Sequence, residues 1–209
     1  DNSQDPSKYG IKSGWGNYRV RGEYVELFGD VSTSTDARCL LWTDGQKQYF
    51  DTFLDDAACG YHSEKWTNLT DEGESASDSA QDGVNTDFPM FRLAEIYLNC
   101  AEAVLRGGIG MSRSEALDII NEIRKRAYGD DSGNISDAQF NLDFILDERG
   151  REMLYENVRR TDLVRHGKFT SDKYIWQWKG GVASGKSVDN RYNRYPIPSS
   201  ELAVNPNLS

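Results

Sequence analysis

The sequence predicts a mainly α-helical protein in which part of a tetratricopeptide-like helical scaffold is joined to a loop-rich, aromatic-rich region. Two patterns predict this: apolar residues recur at helical spacing between about residues 91 and 156, and the first 70 residues contain only short elements. The apolar share is only 37%, but 8 Phe, 5 Trp and 11 Tyr argue against disorder. Residues 71–83, which are small and acidic, are expected to form a surface loop.

Two short elements are predicted in the loop-rich part. Gly22 to Phe28 carries Val25 and Phe28 at helical spacing, and the apolar run within 36–42 is typical of a strand. The first long helix follows from Phe91 to Leu105, where Gly107 and Gly108 end it. Its predicted apolar stripe is Leu93, Ile96, Tyr97, Cys100, Ala101, Val104 and Leu105.

The next helix begins at a capping box formed by Ser112 and Glu115. Two helices with a short connection predict a helical hairpin, and their residue spacing is typical of a tetratricopeptide unit. Because one such unit cannot bury its own apolar face, we expect neighbouring helices from a segment N-terminal to this chain. The predicted buried face of the second helix is Ala116, Ile119, Ile120, Ile123 and Ala127.

A third helix is predicted from about Ser136 to Glu156, with Ser136 and Gln139 as its capping box. Beyond it, an aromatic and glycine-rich tail ends in an extended Pro196-Ile197-Pro198 segment. We therefore divide the chain into a loop-rich ligand-binding region (1–88), a helical region (89–169) and an extended tail (170–209). The apolar positions of the third helix are Phe140, Phe144, Ile145, Met153 and Leu154.

The charge balance disfavours nucleic acid and anionic membranes as partners, because 24 Lys and Arg stand against 34 Asp and Glu, a net charge of −10. The sequence contains no P-loop, dinucleotide-binding glycine motif or nucleophile triad pattern. The three cysteines lack zinc-ligand spacing, and whether Cys39 pairs with Cys59 stays open.

Four motifs occur in a recognisable order: NTDFPMFRLAEIYLNCAEAVLRGG, EALDIINEIRKRA, ILDERGREMLYENVRRTDLVRHGKF and RYPIPSSELAVNPNLS. This order resembles the C-terminal part of the SusD/RagB family of outer-membrane glycan-binding lipoproteins of Bacteroidetes. The segment over 169–198 is most similar to the starch-binding branch of that family.

The resemblance implies a non-catalytic protein that requires no cofactor. It implies that the protein binds a starch-like oligosaccharide or polysaccharide and delivers it to a TonB-dependent, SusC-like transporter. It also implies a surface-exposed position at the outer membrane, with a lipid anchor on an N-terminal cysteine outside this chain. The N-terminal half of the same protein would then be a further partner. Two alternatives are the same scaffold binding another polysaccharide or peptides, and a helical glycoside hydrolase.

Trp15 is the candidate ligand-binding residue, since it lies between two glycines in a context that resembles the stacking tryptophan of starch-binding family members. Flat aromatic side chains cover the apolar faces of pyranose rings at low entropy cost. The alternative is that Trp15 packs beneath a loop. Four other aromatic residues of the same region are interpreted as structural: Tyr18, Trp42, Tyr61 and Trp66.

Asn85 and Asp87 are candidate calcium ligands, because the family carries an acidic Asp-Thr-Asp pattern in the matching place. Asn85 replaces an acid in that pattern and removes a charge. Calcium needs six to eight oxygen ligands, so the others would come from outside this segment. The alternative is that these residues cap the helix that follows.

The carboxylates after residue 145 have two explanations. A glycosidase uses two carboxyl groups that face each other across a cleft, whereas carboxylates interleaved with arginines on one helix ordinarily form ion pairs at i, i+4 spacing. We favour ion pairs. The four carboxylates are Asp147, Glu148, Glu152 and Glu156.

Overall fold

The computed structural model describes residues 4–14, 16, 18–52, 57–76 and 84–208, and it confirms a mainly α-helical protein. The chain divides into two compact units, Asp1–Arg159 and Arg160–Ser209, and the three predicted regions stay a prediction. Within the described residues, no helix is both long and apolar enough to cross a bilayer. The α-helices are α1 (Gly22–Val25), α2 (Leu93–Leu105), α3 (Arg113–Tyr128), α4 (Leu142–Glu152), α5 (Arg159–Arg165) and α6 (Ser199–Val204).

The strands are β1 (Leu41–Trp42) and β2 (His62–Ser63), which pair antiparallel with Leu41 opposite Ser63. The strand expected within 36–42 is therefore only two residues long. The short helix expected over Gly22 to Phe28 is present as α1 followed by a 3₁₀ turn. The 3₁₀ turns are Pro6–Tyr9, Glu26–Phe28, Asp131–Gly133, Lys179–Gly181, Asn190–Asn193 and Pro206–Leu208.

The hydrophobic core of the first unit lies where α3 and α4 pack against α2. The predicted face of α3 is confirmed, since four of its five members are buried. Alanines at the contact positions let the helix backbones approach closely, while larger side chains fill the remaining space. The core residues are Ala94, Leu98, Ala101, Ala116, Ile120, Ile123, Ile135, Phe140, Ile145 and Met153.

The predicted apolar face of α2 is confirmed in part, because Ala101 is buried and Tyr97, Val104 and Leu105 pack against the core. Leu93 and Ile96 are 63% and 46% exposed, whereas Ala94, Leu98 and Ala101 form the buried side. The apolar stripe of this helix is wider than the surface that α3 and α4 cover. A stripe read from periodicity identifies apolar positions, but it does not show which of them have a neighbour.

The predicted bounds of α4 were also wrong. Gln139 accepts a hydrogen bond from the Ser136 N–H (3.0 Å), as a capping box would, but the chain makes a turn there. Asn141 is extended and caps the helix instead, because its Oδ1 accepts the Phe144 N–H at 2.9 Å. The helix ends at Glu152, and left-handed backbone at Tyr155 (φ 56°) prevents its continuation.

The predicted start of α3 is confirmed. Ser112 Oγ accepts the Glu115 N–H (3.2 Å), and the Glu115 carboxylate accepts the Ser112 N–H (2.7 Å). Gly129 ends the helix in a left-handed conformation, φ 80°. All three cysteines are free thiols, which resolves the question of a Cys39–Cys59 disulfide.

The second unit has little regular structure and is organised around a buried lysine. Lys179 Nζ donates to the carbonyl oxygens of Ser171 and Tyr174 at 2.6 Å each, and it lies 4.5 Å from the Trp176 ring centroid. Desolvation by burial lowers the pKa of Lys179. These contacts show how an irregular segment is held by one side chain that satisfies several backbone carbonyls.

Candidate functional site

Trp15 lies outside the described residues, so its proposed role stays a prediction. Its described neighbours Gly14, Gly16 and Tyr18 are exposed, and Gly16 has a left-handed backbone, φ 59°.

The loop-rich part of the first unit contains a cleft of about 400 Å³, which we name the loop cleft. Its size falls within the range typical of small-molecule sites. Its lining mixes flat aromatic rings with short polar side chains, a combination suited to sugars. The lining residues are Tyr9, Ile11, Trp66, Thr67, Asn68, Val84, Thr86, Asp87, Phe88 and Tyr155.

Trp66 and Phe88 form the aromatic surface of the loop cleft. Trp66 is 37% exposed and Phe88 is 50% exposed. Their ring centroids lie 6.5 Å apart with 33° between the planes, so the two rings make a shallow, bent platform. Sequence reasoning favoured a structural role for Trp66. Residues 66 and 88 are far apart in sequence, and no local pattern could have indicated that they meet.

Hydrogen bonds hold the base of the loop cleft. Asn68 is buried: its Nδ2 donates to the Gly10 carbonyl oxygen (3.0 Å) and its Oδ1 accepts the Asn85 N–H (2.7 Å). Thr86 Oγ1 donates to the carbonyl oxygen of Thr67 at 2.7 Å. No other residue fits at position 10, because a Cβ added to Gly10 would lie 2.2 Å from the Asn68 carbonyl oxygen. The cleft is therefore preorganised from three separate stretches of chain.

The candidate calcium ligands Asn85 and Asp87 both lie at the surface beside this cleft. The alternative that they cap the following helix is wrong, because α2 begins at Leu93. Two side-chain oxygen donors fall short of the six to eight that calcium needs. The described part of the chain holds no group of three or more His, Cys, Asp or Glu placed to bind a metal ion. Calcium binding stays a prediction that depends on further ligands.

The carboxylates of this region do form the predicted ion pairs, but most of their arginine and lysine partners come from other elements rather than from α4. Glu148 is fully buried and accepts hydrogen bonds from Arg38 (2.8 Å), Arg124 (2.7 Å) and Arg151 (2.8 Å). We name the whole cluster the ionic hub. Its members are Asp36, Arg38, Lys65, Arg92, Arg124, Arg126, Glu148, Arg151, Glu152 and Glu156.

The ionic hub keeps the buried carboxylates of Glu148 and Glu152 ionised. Burial alone would raise the pKa of Glu152, but hydrogen bonds from Arg126 (2.6 Å) and Arg92 (2.5 Å) outweigh it and lower that pKa to about 2. Burial likewise opposes ionisation of Glu148, and the nearby arginines lower its pKa. A glycosidase acid must hold a proton near neutral pH. Neither carboxylate can do so, which favours a structural role over a catalytic one.

Comparison with known proteins finds a matching family model and similar relatives. A family model described as the SusD family matches residues 45–209. The starch-binding protein SusD of Bacteroides thetaiotaomicron is 38% identical over 182 residues, which cover 86% of this chain and 31% of that protein. A SusD-like protein of Formosa agariphila is 34% identical over 110 residues, 44% of this chain and 21% of the relative.

A solved structure of the same superfamily also matches this chain. The crystal structure of a SusD superfamily protein from Bacteroides thetaiotaomicron matches 97% of this chain with a TM-score of 0.62 and 26% identity. The matched region is 42% of that chain. This chain therefore spans less than half the length of the relatives it matches.

Proposed function

Because the chain belongs to the SusD family, we propose that it is part of a non-catalytic cell-surface protein that binds starch or maltooligosaccharides. The observation that carries this proposal is the aromatic and polar loop cleft in a chain 38% identical to a starch-binding protein. Family membership supports binding of glycans, and the identity to that relative supports α-linked glucose as the sugar.

The loop cleft offers a physical route to recognition without catalysis. Trp66 and Phe88 present apolar ring faces that can cover the C–H faces of a sugar, and their bent arrangement suits a chain that curves. Thr86 and Asp87 lie within reach of sugar hydroxyl groups at the cleft edge. Stacking of this kind is reversible and breaks no bond, as a protein that hands its cargo onward requires.

We further propose that the cargo passes to a TonB-dependent, SusC-like transporter at the outer membrane, where a lipid anchor on a cysteine outside these residues would hold the protein. A further proposed partner is the N-terminal half of the same protein. Phe91, Leu93 and Ile96 are 80%, 63% and 46% exposed, and helices supplied by that half would cover them.

Calorimetric titration of the full-length protein with a long maltooligosaccharide tests this proposal, with a β-linked glucan as the control sugar. We expect binding of the α-linked sugar alone. Trp15→Ala and Trp66→Ala should each weaken it by about tenfold, the effect of losing one stacked ring. Trp66→Phe, which keeps a flat ring, should retain most of the affinity.

Three outcomes would contradict parts of the proposal. Unchanged affinity in Trp66→Ala would show that the loop cleft does not bind the sugar. Unchanged affinity in Trp15→Ala would show that Trp15 does not contact it. Absence of heat with both sugars would reject starch and direct the search to other polysaccharides and peptides. Release of reducing sugar from starch would identify a hydrolase instead.

A further inference from the structure

The second unit contains a larger cavity, of about 710 Å³, which we name the tail cavity. Among the described residues, three cationic side chains line it, Arg160, Lys186 and Arg194, and Asp189 is the only acidic one. Aromatic rings including Trp176 complete the wall. Its volume is typical of a ligand site, and nothing in the proposed function uses it.

Arg160 is fixed in place before any ligand arrives. Its guanidinium carbon lies 4.0 Å from the Tyr195 ring centroid and 4.9 Å from that of Phe169. One of its nitrogens donates to the Tyr192 carbonyl oxygen at 2.7 Å. The guanidinium keeps further N–H donors, and ordering it here reduces the entropy that a ligand would otherwise have to offset.

The positive charge of the tail cavity is not neutralised within the described part of the chain. No acidic side chain there lies within ion-pair distance of Arg160, Lys186 or Arg194. The carboxylate of Asp189 caps the following 3₁₀ turn, accepting the Arg191 N–H at 2.8 Å. The lining therefore has three cations against one carboxylate, and that carboxylate already has a backbone partner.

We propose that the tail cavity binds an oxyanion carried by a sugar, that is, the carboxylate or sulfate group of an acidic glycan. The inference rests on the proposed function for the ligand being a glycan at all. An arginine fork pairs with two oxygens of such a group at once, and a lysine adds a second positive charge. The aromatic wall can cover the apolar part of the same sugar. Neutral maltooligosaccharides carry no such anion, so this ligand differs from that of the loop cleft.

Titration of the full-length protein with an oligogalacturonate, a sulfated oligosaccharide, inorganic sulfate and a neutral maltooligosaccharide tests the inference. The variant is Lys186→Gln, and the matched control is Lys173→Gln, an exposed lysine of the same unit that does not line the cavity. We expect Lys186→Gln to weaken binding of an acidic sugar by about tenfold, the effect of losing one charged hydrogen bond. Lys173→Gln should leave it within about twofold, and neither variant should change maltooligosaccharide binding.

Preference for the uronate or for the sulfated sugar would support the inference and identify the anion. Failure of both acidic sugars to bind, or equal weakening by the two lysine variants, would overturn it. Free sulfate binding as tightly as the sulfated sugar would overturn the assignment to a glycan. If maltooligosaccharide binds and the acidic sugars do not, only this inference fails. If the acidic sugars bind and maltooligosaccharide does not, the starch proposal fails while the tail cavity stands.

Discussion

The two units of the molecule carry net charges of opposite sign. Residues 1–159 carry 16 Lys and Arg against 30 Asp and Glu, a net charge of −14, while residues 160–209 carry 8 against 4, a net charge of +4. In the first unit buried Arg124 and Arg149 both lie in ion pairs, whereas Arg160 of the second unit stacks on aromatic rings. A whole-chain charge of −10 averages over this difference. It argues against anionic partners for the first unit only.

The largest effect is expected from breaking the ionic hub. Glu148→Gln removes a buried charge that forms ion pairs with three arginines, and it leaves them without their common partner. Truncating one side of a buried ion pair costs about 3–5 kcal/mol, so we expect a loss of that size in the free energy of unfolding. Urea denaturation of the full-length protein measures it.

Glu122→Gln is the matched control, because Glu122 is an exposed glutamate of α3 outside the ionic hub. We expect it to change the free energy of unfolding by less than about 0.5 kcal/mol. Similar losses in both variants would mean that net charge, rather than the buried contacts, sets stability.

A smaller effect is expected from acid. The pKa of Glu152 is about 2 in the folded protein, below its ordinary value of 4.5. The stability that ionised Glu152 contributes is therefore complete above about pH 5 and is lost as the pH falls through the folded pKa. We expect the free energy of unfolding to fall between about pH 5 and pH 2, and the Glu152→Gln variant to show a flatter pH dependence. If the free energy of unfolding of the variant fell with pH as steeply as that of the unmodified protein, Glu152 would not be the cause of the acid sensitivity.

The smallest effect is expected in the second unit. Because Lys186 and Arg194 are exposed and have no ion pair among the described residues, neutralising either should change the free energy of unfolding by less than about 0.5 kcal/mol. Urea denaturation of Lys186→Gln and Arg194→Gln measures this. A loss above about 1 kcal/mol in the free energy of unfolding would show that these cations stabilise the fold, and it would contradict the difference drawn between the two units.

Sequence reasoning succeeded where the deciding interactions are local. The capping box of Ser112 and Glu115 and the buried face of α3 depend on residues three or four positions apart. The start of α4 was missed although its signal is local: Asn141 is a good capping residue, but Ser136 offers a similar pattern five residues earlier. Choosing between them depends on where Phe140 is buried, which is a tertiary property.

The sites depended on contacts that the sequence does not display. The platform of Trp66 and Phe88 joins two loops, and Glu148 meets Arg38 across 110 positions of sequence. The exposed Leu93 of α2 illustrates the same limit, because a periodic pattern carries no information about what covers a face. Resemblance to the SusD family supplied the identity that local patterns could not.

The long separation between Arg38 and Glu148 bears on the order in which the chain folds. The turns and helices from α2 to α4 can form from nearby residues, whereas this contact requires a large loop to close. During synthesis Arg38 emerges well before Glu148, whereas Asp36, which lies 2.7 Å from it in the folded protein, is only two residues away in sequence. We therefore expect Asp36 to be the first partner of the arginine and to remain paired with it in the folded protein, so that the ionic hub closes late and onto a side chain that is already oriented.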